Sequence, residues 1–262
     1  MRRSFLTPAL WIPAGLAIAL LGLPLVALIV RAPWVQLPEL LSRSEVLQAL
    51  GLSLATASIA TAVSLVLGIP LALVLARSAE WPAAPRRLLR ALVTVPLVLP
   101  PVVGGVALLL LLGRRGLIGQ FLPFQIPFST SAVVIAQVFV AMPFLVLAVE
   151  GAVRASDRRF ETAAATLGAT RWTILRRVTL PLVAPGVSAG ALLCFTRALG
   201  EFGATITFAG SFPGVTQTLP IATYLELQRD PDAAIALSLT LMVVSVAVLV
   251  TLRDRWVPGL TS

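Results

Sequence analysis

The sequence predicts an all-α membrane protein with six transmembrane helices, on the evidence of its composition, its apolar runs and the placement of its arginines. Of the 262 residues, 58% are hydrophobic and only 12% are charged, whereas about a quarter of the residues in a soluble domain carry charge. The mean hydropathy is +0.98. A chain of this composition is expected to have lipid, rather than water, around much of its surface.

Six uncharged runs are long enough to cross a bilayer core about 30 Å thick, which requires roughly 20 residues of α-helix. The six runs cover residues 10–30, 51–76, 91–113, 130–149, 178–196 and 233–252. The first run follows Arg2 and Arg3 but ends in no small-x-small cleavage pattern, so it is predicted to be an uncleaved first helix. Residues 1–262 are therefore predicted to form a single transmembrane domain.

The arginines predict the orientation of these spans. The chain contains no lysine, so its net charge of +9 comes from arginine. Basic residues concentrate on the cytoplasmic side of membrane proteins, and six spans with a cytoplasmic N-terminus place most arginines on that side. The sequence therefore predicts a multi-pass protein of the cell (inner) membrane, in contact with lipid and with both termini cytoplasmic. This arrangement accounts for the basic charge without a nucleic-acid partner.

A further uncharged stretch, residues 202–225, is predicted to be a re-entrant or external loop. It is rich in glycine, proline and threonine, a composition that ends helices. A seventh span here would also place Arg253 and Arg255 outside the cell, against the charge rule. Irregular backbone at membrane depth is tolerated where it is buried in protein or lines a water-filled cavity. The stretch is therefore a candidate for the route of a substrate.

The longest predicted cytoplasmic segment, residues 150–177, contains a short amphipathic helix. Asp157 is placed to cap the start of this helix, and Gly168 is placed to end it. Residues at three- and four-residue spacing give the helix a small apolar face, namely Phe160, Ala163, Ala164 and Leu167. Such a helix could lie in a groove on a partner protein or on the bilayer surface beside its arginines, and the pattern leaves both open.

This segment resembles the EAA loop of the permease subunits of binding-protein-dependent ABC importers, in which a Glu-Ala-Ala triplet precedes a glycine and a Leu-Pro pair follows. When the two are aligned on Gly168, the matching positions are Ala163, Ala164, Gly168, Ala169, Leu180 and Pro181. Thr162 occupies the position of the motif glutamate, and Glu161 lies one residue earlier. The resemblance covers residues 52–252 and implies the type I importer fold.

In that family the EAA loop forms a coupling helix that docks on a separate ATPase subunit. The resemblance therefore implies this role for residues 157–171. The residues to which it assigns ATPase coupling are Asp157, Glu161, Thr162, Ala163, Ala164, Gly168, Ala169 and Pro181.

Residues 197–224 narrow the resemblance to the molybdate permease branch of the family. The match lies in Gly-Glu-Phe-Gly-Ala at 200–204 and Pro-Gly-Val-Thr-Gln-Thr-Leu-Pro at 213–220. The related sulfate permeases share the first half and differ more in the second. The resemblance implies import of molybdate or tungstate, delivered by a periplasmic or extracellular molybdate-binding protein and carried through two copies of the permease. A sulfate permease is the alternative.

Polar residues around the outer end of the fifth span are candidates for the translocation path. Arg197 and Glu201 are four residues apart, so on a helix they share one face. Arg197 either biases the path towards anions or pairs with Glu201 to fix the helix end. Threonines suit a route that must release its substrate, although they also join membrane helices as packing contacts. The candidate threonines are Thr205, Thr207, Thr216 and Thr218.

Two other classes of protein, an intramembrane enzyme and a passive anion channel, agree less well with the sequence than a transport subunit does. Residues 186–190 match the G-x-S-x-G motif of hydrolases, but the chain has no histidine to activate the serine, and the glycines also fit the G-x-x-x-G pattern of close helix packing. A passive anion channel would not need a long docking loop. Without lysine the chain cannot form a P-loop, and Cys194 has no partner for a metal site. No catalytic residue, metal or cofactor is therefore predicted.

Overall fold

The computed structural model describes residues 10–256, which form a bundle of α-helices. Arg2 and Arg3, which contribute to the predicted orientation, lie outside this range. The helices of the described part are α1 Trp11–Val30, α2 Leu37–Ser42, α3 Ser44–Arg77, α4 Ala83–Val98, α5 Pro101–Leu112, α6 Thr130–Ala155, α7 Arg159–Thr166, α8 Arg171–Ile174, α9 Leu180–Leu199, α10 Gly203–Ala209, α11 Leu219–Glu226 and α12 Pro231–Trp256. A π-helical turn, Leu175–Thr179, joins α8 to α9.

Five helical segments of the described part are long and apolar enough to cross a membrane. They are Trp11–Val30, Ser44–Glu80, Thr130–Ala155, Arg171–Leu199 and Pro231–Val248. Several of these helices extend beyond the uncharged runs of the sequence, since α3 begins at Ser44 and α6 continues to Ala155. A helix can project from the hydrocarbon core into the headgroup region, where charged side chains are tolerated, so the charge-free run is shorter than the helix.

The run at residues 91–113 is not one straight helix. It is divided between α4 and α5, whose axes are bent by 118°. Leu99 and Pro100, between the two helices, have extended backbone, with ψ angles of 134° and 132°. Proline disfavours helical geometry in the residue before it, and Pro100 is itself followed by Pro101. Counting the bent pair as one span gives six spans in the described part.

Helix α6 lies at the centre of the bundle and packs against α3 and α9. The contact with α9 is close, because a Cβ atom added at Gly186 would lie only 2.2 Å from the Cβ of Ala152. One added at Gly190 would lie 3.0 Å from the Cβ of Ala148. Both glycines lie within a continuous helix and not at a strand-to-helix turn, so residues 186–190 form a helix-packing motif.

The stretch at residues 202–225 is not a loop throughout, contrary to its composition. It contains α10 and the larger part of α11, joined by irregular backbone at residues 210–218. Phe208 and Ile221 in these short helices are fully buried, and α10 packs against α5 and α6. Helices this short derive their stability from tertiary packing and not from intrinsic propensity, which is why composition did not predict them.

Candidate coupling and translocation sites

The segment between α6 and α9 forms the short helix that its sequence predicts. The carboxylate of Asp157 accepts a hydrogen bond of 2.9 Å from the backbone N–H of Arg159, the first residue of α7. This contact satisfies one of the N–H groups that the start of a helix leaves free. After α7 the chain turns at Gly168, whose φ of +82° lies in the left-handed region that favours glycine. The helix is thus bounded by the two residues expected to bound it.

Large apolar side chains of this segment project into solvent. The exposed fractions are 56% for Phe160, 88% for Leu167 and 68% for Trp172. Of the two motif alanines, Ala163 is exposed and Ala164 is half-buried. Exposed apolar residues clustered in a polar loop mark a surface that binds another protein or a membrane. The sequence analysis did not single out Trp172. A tryptophan within an arginine-rich loop is the signal that could have identified it, because tryptophan and arginine are enriched at interfaces.

Glu161 makes contacts that its place in the motif does not predict. Its Oε1 atom lies 3.1 Å from Nη2 of Arg77, at the C-terminal end of α3, and accepts a hydrogen bond of 2.5 Å from the hydroxyl of Thr179. Thr162, which replaces the motif glutamate, donates its hydroxyl to the carbonyl of Arg158 within the same segment. Glu161 therefore connects the loop to the membrane helices of its own chain.

Motif positions beyond α7 lie close to the same junction. Ala169 is half-buried directly after the turn, and Pro181 lies exposed in the first turn of α9. Thr179 ends the π-helical turn just before α9. The positions that match the motif thus extend from α7 to the start of the fifth predicted span.

A second ionic cluster at this end of the bundle was missed by the sequence analysis. Glu150 on α6 is buried, and its Oε1 atom lies 2.5 Å from Nη2 of Arg90 and 2.8 Å from Nη2 of Arg154. Arg90 belongs to α4, so the carboxylate joins α4 to α6. The i,i+4 spacing of Glu150 and Arg154 is visible in the sequence, but the contact with Arg90 depends on tertiary structure.

Arg197 and Glu201 form the ion pair that their spacing predicts. Nη1 of Arg197 lies 2.6 Å from Oε2 of Glu201. The other oxygen of Glu201 accepts a hydrogen bond of 2.8 Å from the N–H of Ala204 in the first turn of α10. Glu201 is buried, whereas 28% of the Arg197 side chain is exposed. These contacts give Glu201 the structural role of fixing α10 to α9, and they leave part of the Arg197 side chain accessible.

Three of the four candidate threonines are buried in this conformation. Thr207 is half-buried and donates to the carbonyl of Gly203, while Thr216 is buried and accepts a hydrogen bond from the N–H of Phe212. Thr205 and Thr218 are fully buried, and their hydroxyls have no hydrogen-bond partner among the residues described. The four side chains therefore do not line an open channel within one chain.

Gln137 on α6 is a further buried polar residue that the sequence analysis missed. It is 1% exposed, and neither its amide nitrogen nor its amide oxygen has a partner in the described part of the chain. Leaving such groups unpaired in a membrane interior is costly. A single amide within an apolar run is the signal that could have drawn attention to it. Across residues 10–256, no group of three histidine, cysteine or acidic side chains could hold a metal ion.

An exposed loop with apolar side chains and buried polar groups beside the membrane spans are features expected of a transporter permease. Residues 68–258 match the model of the family described as the binding-protein-dependent transport system inner membrane component, and the chain belongs to this family. It is thus a multi-pass membrane subunit of a transport system, and not an enzyme.

Two relatives and one solved structure extend this comparison. The molybdenum transport system permease protein ModB of Mycobacterium tuberculosis is 50% identical over 248 residues, which cover 94% of this chain and 93% of the relative. The sulfate transport system permease protein CysT of Escherichia coli is 33% identical over 247 residues, covering 90% and 88%. A bacterial ABC transporter that imports alginate matches with a TM-score of 0.71 at 16% identity, over 97% of this chain and 95% of that one. This last likeness confirms the predicted importer-permease fold.

Proposed function

We propose that this chain is the transmembrane subunit of an ATP-driven importer of molybdate or its near twin, tungstate. The main support is the similarity to ModB, which extends over nearly the whole of both chains at 50% identity. The similarity to the sulfate permease CysT covers a comparable length at only 33% identity. The sequence at residues 213–220, which resembles the molybdate branch, favours the same substrate.

The energy for transport comes from a separate ATPase subunit that docks on the loop at residues 157–171. The exposed side chains of Phe160, Leu167 and Trp172 supply the apolar contacts for this docking. The arginines around this loop support a cytoplasmic position for it, on the side where ATP is available. Two copies of the chain form the path, and an external binding protein delivers the oxyanion to the outer side.

The anion preference arises near the outer end of α9, where the Arg197 side chain stays partly accessible beside Glu201. Because Glu201 compensates much of this charge, the site attracts a dianion without holding it tightly, as a path that must release its cargo requires. Thr205 and Thr218, whose hydroxyls have no partner among the described residues, provide neutral hydrogen-bond donors once the outer segment opens. Thr207 can do the same by exchanging its bond to the Gly203 carbonyl for one to the substrate. Thr216, whose hydroxyl accepts a hydrogen bond from Phe212, keeps the segment at residues 210–218 in shape.

The test is ATP hydrolysis by this chain, copurified with its ATPase and reconstituted in liposomes. Binding protein loaded with molybdate is expected to stimulate hydrolysis, and sulfate-loaded binding protein is not. Stimulation by sulfate alone would assign the chain to sulfate transport, and no stimulation by either would refute the importer proposal. Release of entrapped molybdate from the same liposomes without ATP would instead identify a passive channel.

A further inference from the structure

We propose that Glu161 is a positioning residue that fastens the coupling helix α7 to two membrane spans, and not a contact to the ATPase. The inference rests on the proposed function and concerns how movement of the ATPase reaches the spans. Its basis is the single carboxylate oxygen that meets Arg77 at 3.1 Å and Thr179 at 2.5 Å. Arg77 is the last residue of α3, and Thr179 immediately precedes α9.

The exposure of the side chains around α7 distinguishes residues available for docking from the residue that attaches the helix to the bundle. Phe160, Ala163 and Leu167, at spacings of three and four residues, are all exposed. Glu161 and Ala164, three residues apart, are the two half-buried residues of the helix. Residues at such spacings share one side of a helix. Ala164 lies between the two sets, four residues from Phe160 and three from Glu161. The exposed side of α7 is therefore free to contact a partner, while Glu161, about 100° further around the helix from Phe160, is turned towards the bundle.

The partners of Glu161 belong to elements that pack against the core, so a displacement of α7 would be transmitted to it. Helices α3 and α9 are the two helices that pack most extensively against the central α6. The Thr179 side chain is buried, and it ends a π-helical turn. Such turns interrupt the regular hydrogen bonding of an α-helix and occur frequently at functional sites. A displacement of α7 is thus passed directly to α3 through Arg77 and to the π-helical turn through Thr179.

The exposure of the ion pair indicates that its function is geometric. The side chains of Arg77 and Glu161 are 52% and 29% exposed, and ion pairs this accessible add little to the stability of a fold. Variants at these positions are therefore expected to fold. A loss of coupling in such variants would report on the connection itself.

The experiment compares Arg77→Glu, Glu161→Arg and the double variant that exchanges the two charges, each copurified with the ATPase and reconstituted in liposomes. Two quantities are measured: the amount of ATPase retained, and the ATP hydrolysed per molybdate transported. Each single variant is expected to retain the ATPase while raising the ATP used per molybdate about five- to tenfold, the lower range of coupling between sites. The exchange of charges is expected to restore most of the coupling.

Two further variants make the test specific. Arg87→Glu applies the same charge change to an exposed arginine of α4 that forms no ion pair in the described part of the chain, and it is expected to couple normally. Glu161→Gln keeps the shape and the hydrogen-bond acceptor for Thr179 but loses the charge, so a smaller loss of coupling is expected.

Three results would overturn the inference. One is loss of the ATPase from Glu161→Arg but not from Arg77→Glu, because that would make Glu161 a docking contact. Another is normal coupling in both single variants, and the third is failure of the exchanged pair to recover. The wild-type complex is assayed first with molybdate and with sulfate. An inert wild type counts against the proposed function, whereas an active wild type with unaffected variants counts against the role of Glu161.

Discussion

Replacing Gly186 by alanine tests a close contact between α6 and α9. The added Cβ would lie 2.2 Å from the Cβ of Ala152, whereas carbon atoms in contact are about 3.5 to 4.0 Å apart. The neighbouring atom is a short side chain held on the α6 backbone, so it cannot rotate away. Helix α9 would therefore have to move away from α6 by about 1 Å or more.

The expected cost follows from the overpacking of a rigid interface. Extra methyl groups in a well-packed core typically cost about 1 to 3 kcal/mol. For a chain of this size, about 2 to 4 °C of melting temperature corresponds to each kcal/mol. The variant is therefore expected to melt about 2 to 12 °C below the wild type in detergent. Transport should fall as well, because the displaced helix is the one that follows the coupling loop.

Matched variants make this result interpretable. Gly151 lies on α6, next to Ala152 in the sequence, and an added Cβ there would meet no atom within 4 Å. Gly151→Ala is therefore expected to melt at or slightly above the wild-type temperature, since alanine is the better helix former. Adding Ala152→Gly to Gly186→Ala removes the opposing methyl and should recover most of the loss. Equal melting of the two alanine variants, or no recovery in the double variant, would refute the close approach.

Three further variants test other features of the structure. Glu150→Gln should lower the free energy of unfolding by about 1 to 3 kcal/mol, because it weakens the contacts of a buried carboxylate with Arg90 and Arg154; unchanged melting would contradict the cluster. Gln137→Leu removes two unpartnered buried amide atoms, so the variant should melt at or above the wild-type temperature. Transport should decline if the amide serves an open state. A lower melting temperature would count against the absence of partners for this amide. Gly168→Ala should cost about 1 kcal/mol through its positive φ alone, since no atom lies within 4 Å of the added Cβ; a neutral result in thermal melting would show that the turn is not left-handed.

The sequence predicted those parts of the fold that depend on local patterns. Uncharged runs located the long helices α1, α3, α6, α9 and α12, because a bilayer requires an apolar segment of fixed length. Asp157 and Gly168 located α7, because the ends of a helix have chemical requirements of their own. The prolines at positions 100 and 101 mark an interruption, but the 118° bend depends on what α4 and α5 pack against, and this lies far away in sequence.

The candidate sites show the same division between local and tertiary information. The pair of Arg197 and Glu201 was predictable, since residues four apart on a helix are neighbours. The contact of Glu161 with Arg77 joins residues 84 positions apart, and no pattern in either segment indicates the other. Whether Thr205 faces a channel or the protein interior likewise depends on the packing of α10, a helix that composition did not predict.

The π-helical turn at Leu175–Thr179 bears on how relatives of this protein should be aligned. Such a turn amounts to one extra residue within an otherwise continuous helix, and one residue corresponds to about 100° of rotation about the helix axis. In a homologue without the turn, the same loop would be followed by a fifth span that is rotated about its own axis, so that different side chains face α6. A one-residue gap at this place is then a structural difference, and an ungapped alignment would assign the wrong face of α9 to the interior. Insertion or deletion of one residue here would rotate the following span by about 100° while the loop stays unchanged.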